Sequence, residues 1–109
     1  MPFGIVTPEM VEAIKPFIEG KEVWDLGAGD LTYSHDLLEW GASQVVAVDK
    51  EAAFPWDDRV TFRQAYFEQI LPLDLSEVIF LAWPQVQYSH QSFALITLLE
   101  QAQVVIYLG

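Results

Sequence analysis

The segment Val23-Trp24-Asp25-Leu26-Gly27-Ala28-Gly29-Asp30-Leu31-Thr32 carries the residues best suited to chemistry. Gly27 and Gly29 can take backbone angles closed to other residues, and without Cβ atoms they let a ligand approach the chain closely. A helix starting just after such a turn presents backbone N–H groups that have no partner inside the helix. Asp49 lies 20 residues beyond Gly29, directly after an apolar run at 45–48. A carboxylate at the end of a second strand can accept two hydrogen bonds from the vicinal hydroxyls of a ribose. Glycine turn, helix, apolar strand and terminal acid, in that order, point to a ligand that contains a nucleoside. The competing reading is a tight strand-to-helix turn and a solvated acid. Where a third glycine is expected the chain has Leu31. Leu31 is expected to pack beneath the turn and not to touch a ligand.

Two kinds of nucleoside cofactor use this arrangement. For a nicotinamide dinucleotide the pattern is Gly27-x-Gly29-x-x-Thr32, with Thr where close helix packing wants Gly or Ala. The pyrophosphate of that cofactor is anionic, whereas Asp25 and Asp30 bracket the turn with negative charge. An acid two residues before the first glycine better suits a ligand with a positive group, such as an amino acid moiety.

The elements that must position these residues follow from local pattern. Thr7-Pro8-Glu9 opens a helix, with Thr as N-cap, Pro at the first helical position and an acid in the first turn. Met10, Ala13, Ile14, Phe17 and Ile18 recur at helical spacing and form one apolar face. Pro16 is expected to distort this helix, and Gly20 to end it. Residues 22–26 read as a strand. Residues 32–40 read as a helix with Leu37, Leu38 and Trp40 turned inward, stopped by Gly41. Strands follow at 44–48, 60–64, 78–81 and 104–108, with a loop at Phe54-Pro55-Trp56-Asp57-Asp58. A short helix or turn is expected at 66–71, and a helix at 89–102 with Leu95, Leu98, Leu99 and Ala102 as its stripe. Continuous apolar strands imply burial on both faces, hence a mostly parallel sheet of about five strands with helices on each side. Right-handed crossovers make this an α/β, Rossmann-like, doubly wound sheet in a single domain, with ligands bound at the carboxyl ends of its strands.

Composition narrows the function. One domain fits 109 residues. The net charge is −11, from 16 acids against 5 Lys plus Arg. A field of that sign repels phosphate backbones and argues against nucleic-acid binding by this chain alone. A basic partner or a small substrate fits better. The apolar runs are shorter than the roughly 20 residues a membrane span needs. The N-terminus has no basic signal-like region, and a cytoplasmic protein is the default expectation. There is no cysteine, and two histidines with scattered acids show no metal-ligand spacing. His35 and His90 invite a general-base reading, but surface histidines are the preferred one.

Residues 23–29 followed by 45–49 resemble the first two motifs of class I S-adenosylmethionine-dependent methyltransferases. The helix before the first strand is also usual in that family. The resemblance covers about residues 7–108 and implies S-adenosylmethionine, or S-adenosylhomocysteine as product, as the cofactor. It implies Asp25, Gly27, Ala28 and Gly29 around the methionine part, Asp49 on the ribose and Lys50 as a further cofactor contact, while Tyr66 either lines the adenine site or is a core aromatic. Members that methylate amino nitrogens carry Asp or Asn, then Pro-Pro and an aromatic, after the fourth strand. Here the segment is Ala82-Trp83-Pro84-Gln85, so Trp83, Pro84 and Gln85 are the candidates for a catalytic role, with Gln87 as a further substitute for the missing amide. The expected activity is methyl transfer to a small-molecule or protein substrate. The alternatives are a non-catalytic adenosylmethionine-binding or scaffold subunit and an NAD-dependent oxidoreductase.

The family's usual sheet has two further strands beyond the fifth, so the resemblance implies a chain truncated after Val104–Leu108. Such an outer apolar strand would expose unpaired backbone groups, which favour pairing with another chain. A homodimer, or a partner subunit covering this edge, is therefore expected.

Overall fold

The computed structural model describes residues 6–70, 78–82 and 90–108. Helix α1 spans Pro8–Ile18 and is followed by strand β1, Glu22–Leu26. Helix α2 spans Thr32–Glu39 and leads to β2, Gln44–Asp49. Strand β3, Val60–Gln64, precedes a 3₁₀ turn at Phe67–Ile70. Strand β4, Val78–Ala82, helix α3, His90–Gln101, and strand β5, Val104–Leu108, complete the order.

The five strands form one sheet in the order β3-β2-β1-β4-β5, and every pairing is parallel. The expected Rossmann-like α/β architecture is thus the one observed. β1 lies at the centre, with Leu26 beside Val48 of β2. The chain winds outward to β3, then crosses back to β4 and β5. This reversal puts a crevice outside the carboxyl ends of the central strands, where open α/β sheets bind ligands.

Each face of the sheet has its own core. Val23, Val45, Ala47, Val78, Phe80 and Ile106 meet Ile14 and Ile18 of α1 and Leu37 and Leu38 of α2. On the other face Leu26, Val48, Ile79 and Leu81 meet Leu98 of α3, with Phe67 and Ile70 of the 3₁₀ turn. Alternation along buried strands supplies both sets, as a doubly covered parallel sheet requires.

Local rules account for the ends of α1. The Thr7 hydroxyl accepts the Met10 N–H at 3.2 Å, and Pro8 occupies the first turn. The helix runs through Pro16 to Ile18, so the expected distortion does not end it there. Its apolar face divides: Ile14 and Ile18 are buried, whereas Phe17 is 53% exposed. β5 is the last strand on that side, and α1 overhangs it. Met10, Ala13 and Phe17 line a groove of about 290 Å³ whose other wall is β5.

Helix α2 buries more than the sequence pattern implied. Leu37 and Leu38 point inward, and Trp40 packs edge-on against Phe80 at 6.5 Å. Ser34 and His35 are buried as well. The helix opens at Leu31, which is fully buried at a left-handed φ of 72°. Left-handed backbone costs a non-glycine residue about 1–2 kcal/mol. Removing a buried leucine costs about 2–5 kcal/mol. Burial therefore outweighs strain, and Leu31→Gly should destabilise the fold by roughly 1–3 kcal/mol. Urea unfolding measures the difference. A variant as stable as the parent would show that the leucine side chain contributes nothing under the turn.

Candidate functional site

The link from β1 to α2 places three left-handed residues at alternate positions, Gly27 (φ 74°), Gly29 (φ 59°) and Leu31 (φ 72°). A methyl group built on Gly29 would meet nothing within 4 Å. Open space therefore lies above that glycine, as close ligand approach requires. On Gly27 the nearest atom would be Phe67 Cζ at 3.9 Å, so the 3₁₀ turn backs the glycine loop.

Five amides of the turn are engaged within the protein. The Gly27 and Ala28 N–H groups both donate to the Val48 carbonyl, at 2.8 and 3.0 Å. Gly29 N–H donates to Asp49 Oδ2 at 2.8 Å. Leu31 N–H donates to the Ala28 carbonyl at 3.0 Å, and Thr32 N–H to Asp30 Oδ1 at 3.0 Å. An anion entering here would have to displace these bonds while facing Asp25, Asp30 and Asp49.

Asp49 ends β2 beside the turn. Its second oxygen accepts the Glu51 N–H at 2.8 Å. Each carboxylate oxygen has two lone pairs, so capacity for further donors remains. The Ala65 N–H donates to the Asp49 carbonyl at 3.0 Å, which ties the end of β3 to the same edge. Tyr66 follows there, exposed, with its N–H donated to Gln69 Oε1 at 2.7 Å. The Lys50 carbonyl accepts Gln64 Nε2 at 3.2 Å, and the Lys50 side chain is exposed. The carboxyl edge thus gathers Gly27, Ala28, Gly29, Asp49, Lys50 and Tyr66. Trp83, Pro84, Gln85 and Gln87 lie outside the described residues.

Asp25 sits beneath this edge, 2% exposed. Its carboxylate accepts the Ser34 hydroxyl at 2.7 Å. Burial pushes the carboxyl up to about 7, the Ser34 hydrogen bond pulls it back, and the charge of Asp49 adds a further upward push. Asp30 behaves oppositely: the Thr32 backbone and side-chain hydrogen bonds hold its carboxyl below the usual range.

Ser34 and Phe67 were not among the residues expected from sequence to serve the site. Leu31, Ser34, His35 and Leu38 fall at helical spacing, so a polar pair inside an apolar stripe was the available signal. His35 also corrects the expectation of a surface histidine. It is 8% exposed, with Trp56 stacked on it at 3.4 Å and 4°. Its Nε2 accepts the Trp56 N–H at 3.2 Å. That leaves the proton on Nδ1, which donates to the Leu31 carbonyl at 2.8 Å. With both ring nitrogens engaged in structure, His35 anchors the loop after β2 to α2. His90 opens α3.

No known family model matches the chain, and no curated protein matches it in sequence. Among the described residues, no helix is long and apolar enough to cross a membrane, and no group of three or more His, Cys, Asp or Glu could hold a metal ion.

The raised carboxyl of Asp25 gives stability a defined pH dependence. The folded protein holds this proton up to about 7, whereas a freely solvated aspartate loses it near 3.8. Between those values the native state binds more protons than the unfolded state, so this contribution is fully present below 3.8 and is lost as pH rises through 7. Asp25→Asn removes the titrating carboxyl. Relative to the parent, the variant should gain on the order of a few kcal/mol between pH 5 and pH 8. Denaturant titrations at the two pH values check this. Parallel pH dependence in parent and variant would remove Asp25 as the cause.

Proposed function

We propose that the chain binds S-adenosylmethionine, or its product S-adenosylhomocysteine, at the β1–α2 turn and uses it for methyl transfer. The observation that carries this reading is the state of the turn. Asp25 and Asp49 lie close enough for one charge to raise the other's carboxyl, and the amides an anionic pyrophosphate would need already serve Val48, Asp49 and Asp30. A ligand carrying an ammonium and a sulfonium relieves that negative field. A dinucleotide adds to it, which ranks an NAD-dependent oxidoreductase below. Asp49 suits the ribose hydroxyls, since it stands at the end of β2 with acceptor capacity left. Gly29 gives the methionine part room, and Tyr66 stands at the adenine side of the same edge. Asp25 is covered and bonded to the buried Ser34, so it does not touch the ligand; it adds to the negative field beneath the turn once it ionises, as pH rises through about 7. The acceptor would be a small molecule or a protein. A cytoplasmic location is part of the proposal.

Calorimetric titration with S-adenosylmethionine, S-adenosylhomocysteine and NAD tests it. The adenosyl ligands should bind and NAD should not. Asp49→Ala should weaken binding by about ten- to a hundredfold, the loss of a charge-assisted hydrogen bond worth about 1.5–3 kcal/mol. It should also lower the melting temperature, because the Gly29 and Glu51 amides lose their acceptor. Gly29→Ala serves as the second variant: its methyl enters the open space, and because φ is 59° it also strains the turn by about 1–2 kcal/mol, so circular dichroism checks that the fold is kept. Unchanged affinity in both variants would take the ligand away from this turn. A labelled methyl donor screened against peptides and small molecules separates an enzyme from a non-catalytic binding subunit.

The same reading includes a partner at β5. This strand pairs with β4 on one side and ends the sheet among the described residues. Val105 and Tyr107 are exposed, beside the groove that α1 overhangs. A second copy of the chain can pair with this edge about a two-fold axis, burying the same patch on both subunits. Light scattering over a wide concentration range should show a dimer. Val105→Pro removes a backbone donor and should give a folded monomer. A parent that stays monomeric at high concentration would defeat this arrangement.

A further inference from the structure

The loop between β2 and β3 carries two large side chains turned to solvent, Phe54 at 85% exposure and Trp56 at 71%. Exposed aromatics in a mobile loop would mean little. Trp56 is instead held in place. One face of its indole lies flat on the His35 ring at 3.4 Å and 4°. Its backbone N–H is tied to His35 Nε2 at 3.2 Å, and His35 is itself fixed to the Leu31 carbonyl at 2.8 Å. With one face covered and most of its surface open, the indole offers its other face to solvent in a preset orientation. Preorganisation of this kind removes part of the ordering cost of binding.

The loop that carries the platform, together with Asp49 before it, holds more acid than base, with Asp49, Glu51, Asp57 and Asp58 against Lys50 and Arg59. Glu51 and Asp58 flank it in the loop and are exposed. Asp36, next to His35 on α2, has its carboxyl raised by burial first and by the charge of Glu39 second. Asp57 is satisfied by Arg59, with bonds of 2.9 and 3.1 Å, so that pair neutralises itself. The chain as a whole carries −11. An aromatic face within a negative field attracts a planar cation, and a guanidinium stacks on indole better than an ammonium does. The same field repels nucleic-acid phosphates and anionic membranes.

We propose that Trp56, stacked on His35, with Glu51 and Asp58 in its own loop and Asp36 next to His35 on α2, is a docking point for an arginine-bearing segment of a basic partner protein. An arginine of the partner extends the imidazole–indole stack by a third layer, Phe54 gives its apolar neighbours a contact, and the acids receive its other cations. The surface lies on the α2 side of the loop and does not depend on which ligand occupies the glycine turn.

An arginine-rich decapeptide, its lysine counterpart and a glutamate counterpart serve as probes, with neutral phosphatidylcholine vesicles as a separate arm. Binding is followed by calorimetry and by the indole N–H resonances. The arginine peptide should bind, shift the Trp56 indole resonance, bind more tightly than the lysine peptide, and weaken as salt is raised. Trp56→Ala should weaken it by about tenfold or more. Trp56→Phe should recover part of the loss, and Asp58→Asn should weaken binding while leaving the ring in place. Native circular dichroism in these variants keeps folding out of the comparison. Absence of arginine-peptide binding, equal affinity in folded Trp56→Ala, or preference for the glutamate peptide or the vesicles would overturn the proposal.

Discussion

Two acceptors on β2 hold the turn between β1 and α2, and the rest of the carboxyl edge is arranged around them. The Val48 carbonyl takes two amides of the turn, and the Asp49 carboxylate takes a third. These bonds make a left-handed alternation at Gly27, Gly29 and Leu31 the favoured course of the chain. They also join the central strand to its neighbour just where the ligand crevice of such a sheet lies. Leu31 then enters the core and starts α2 without a side-chain cap, its strain offset by burial.

Satisfying the turn internally has an electrostatic consequence. Five amides of the turn are already used, while the carboxylates that hold two of them add negative charge. Asp25 is enclosed below, where its carboxyl accepts the Ser34 hydroxyl, and its proton stays on to about 7. Keeping this acid buried beneath the turn costs stability as pH rises through about 7. This charge distribution is the ground on which a cationic ligand is proposed over a pyrophosphate.

The periphery follows from a sheet whose helices do not match its width. α1 overhangs β5 and leaves Phe17 beside a groove. Between β2 and β3 an irregular loop replaces a crossover helix and rests on α2 through the His35–Trp56 stack. Both features leave apolar surface outside the core, which accords with a hydrophobic fraction of 52% in so short a chain.

Much of this architecture is legible from neighbouring residues alone. The Thr7-Pro8 cap, the strand Glu22–Leu26, the loop after Asp49 and the glycine turn each rest on local rules of dihedral angle, capping and periodicity, and each stands where those rules place it. Continuous apolar strands were enough to imply a parallel sheet covered on both sides. What local pattern lacks is the phase of one element against another. Only the packed sheet puts Asp49 within 2.8 Å of Gly29, turns Ser34 onto Asp25 and lays Trp56 on His35. His35 reads as a surface residue until the loop from β2 is known to cross it, because burial depends on what arrives from elsewhere in the chain. The sequence by itself thus determined the elements, the sheet type and the residues of the glycine turn. Tertiary structure alone decided which donors that turn has left to offer and which acid keeps its proton, since hydrogen-bond saturation and desolvation are set by neighbours distant in sequence.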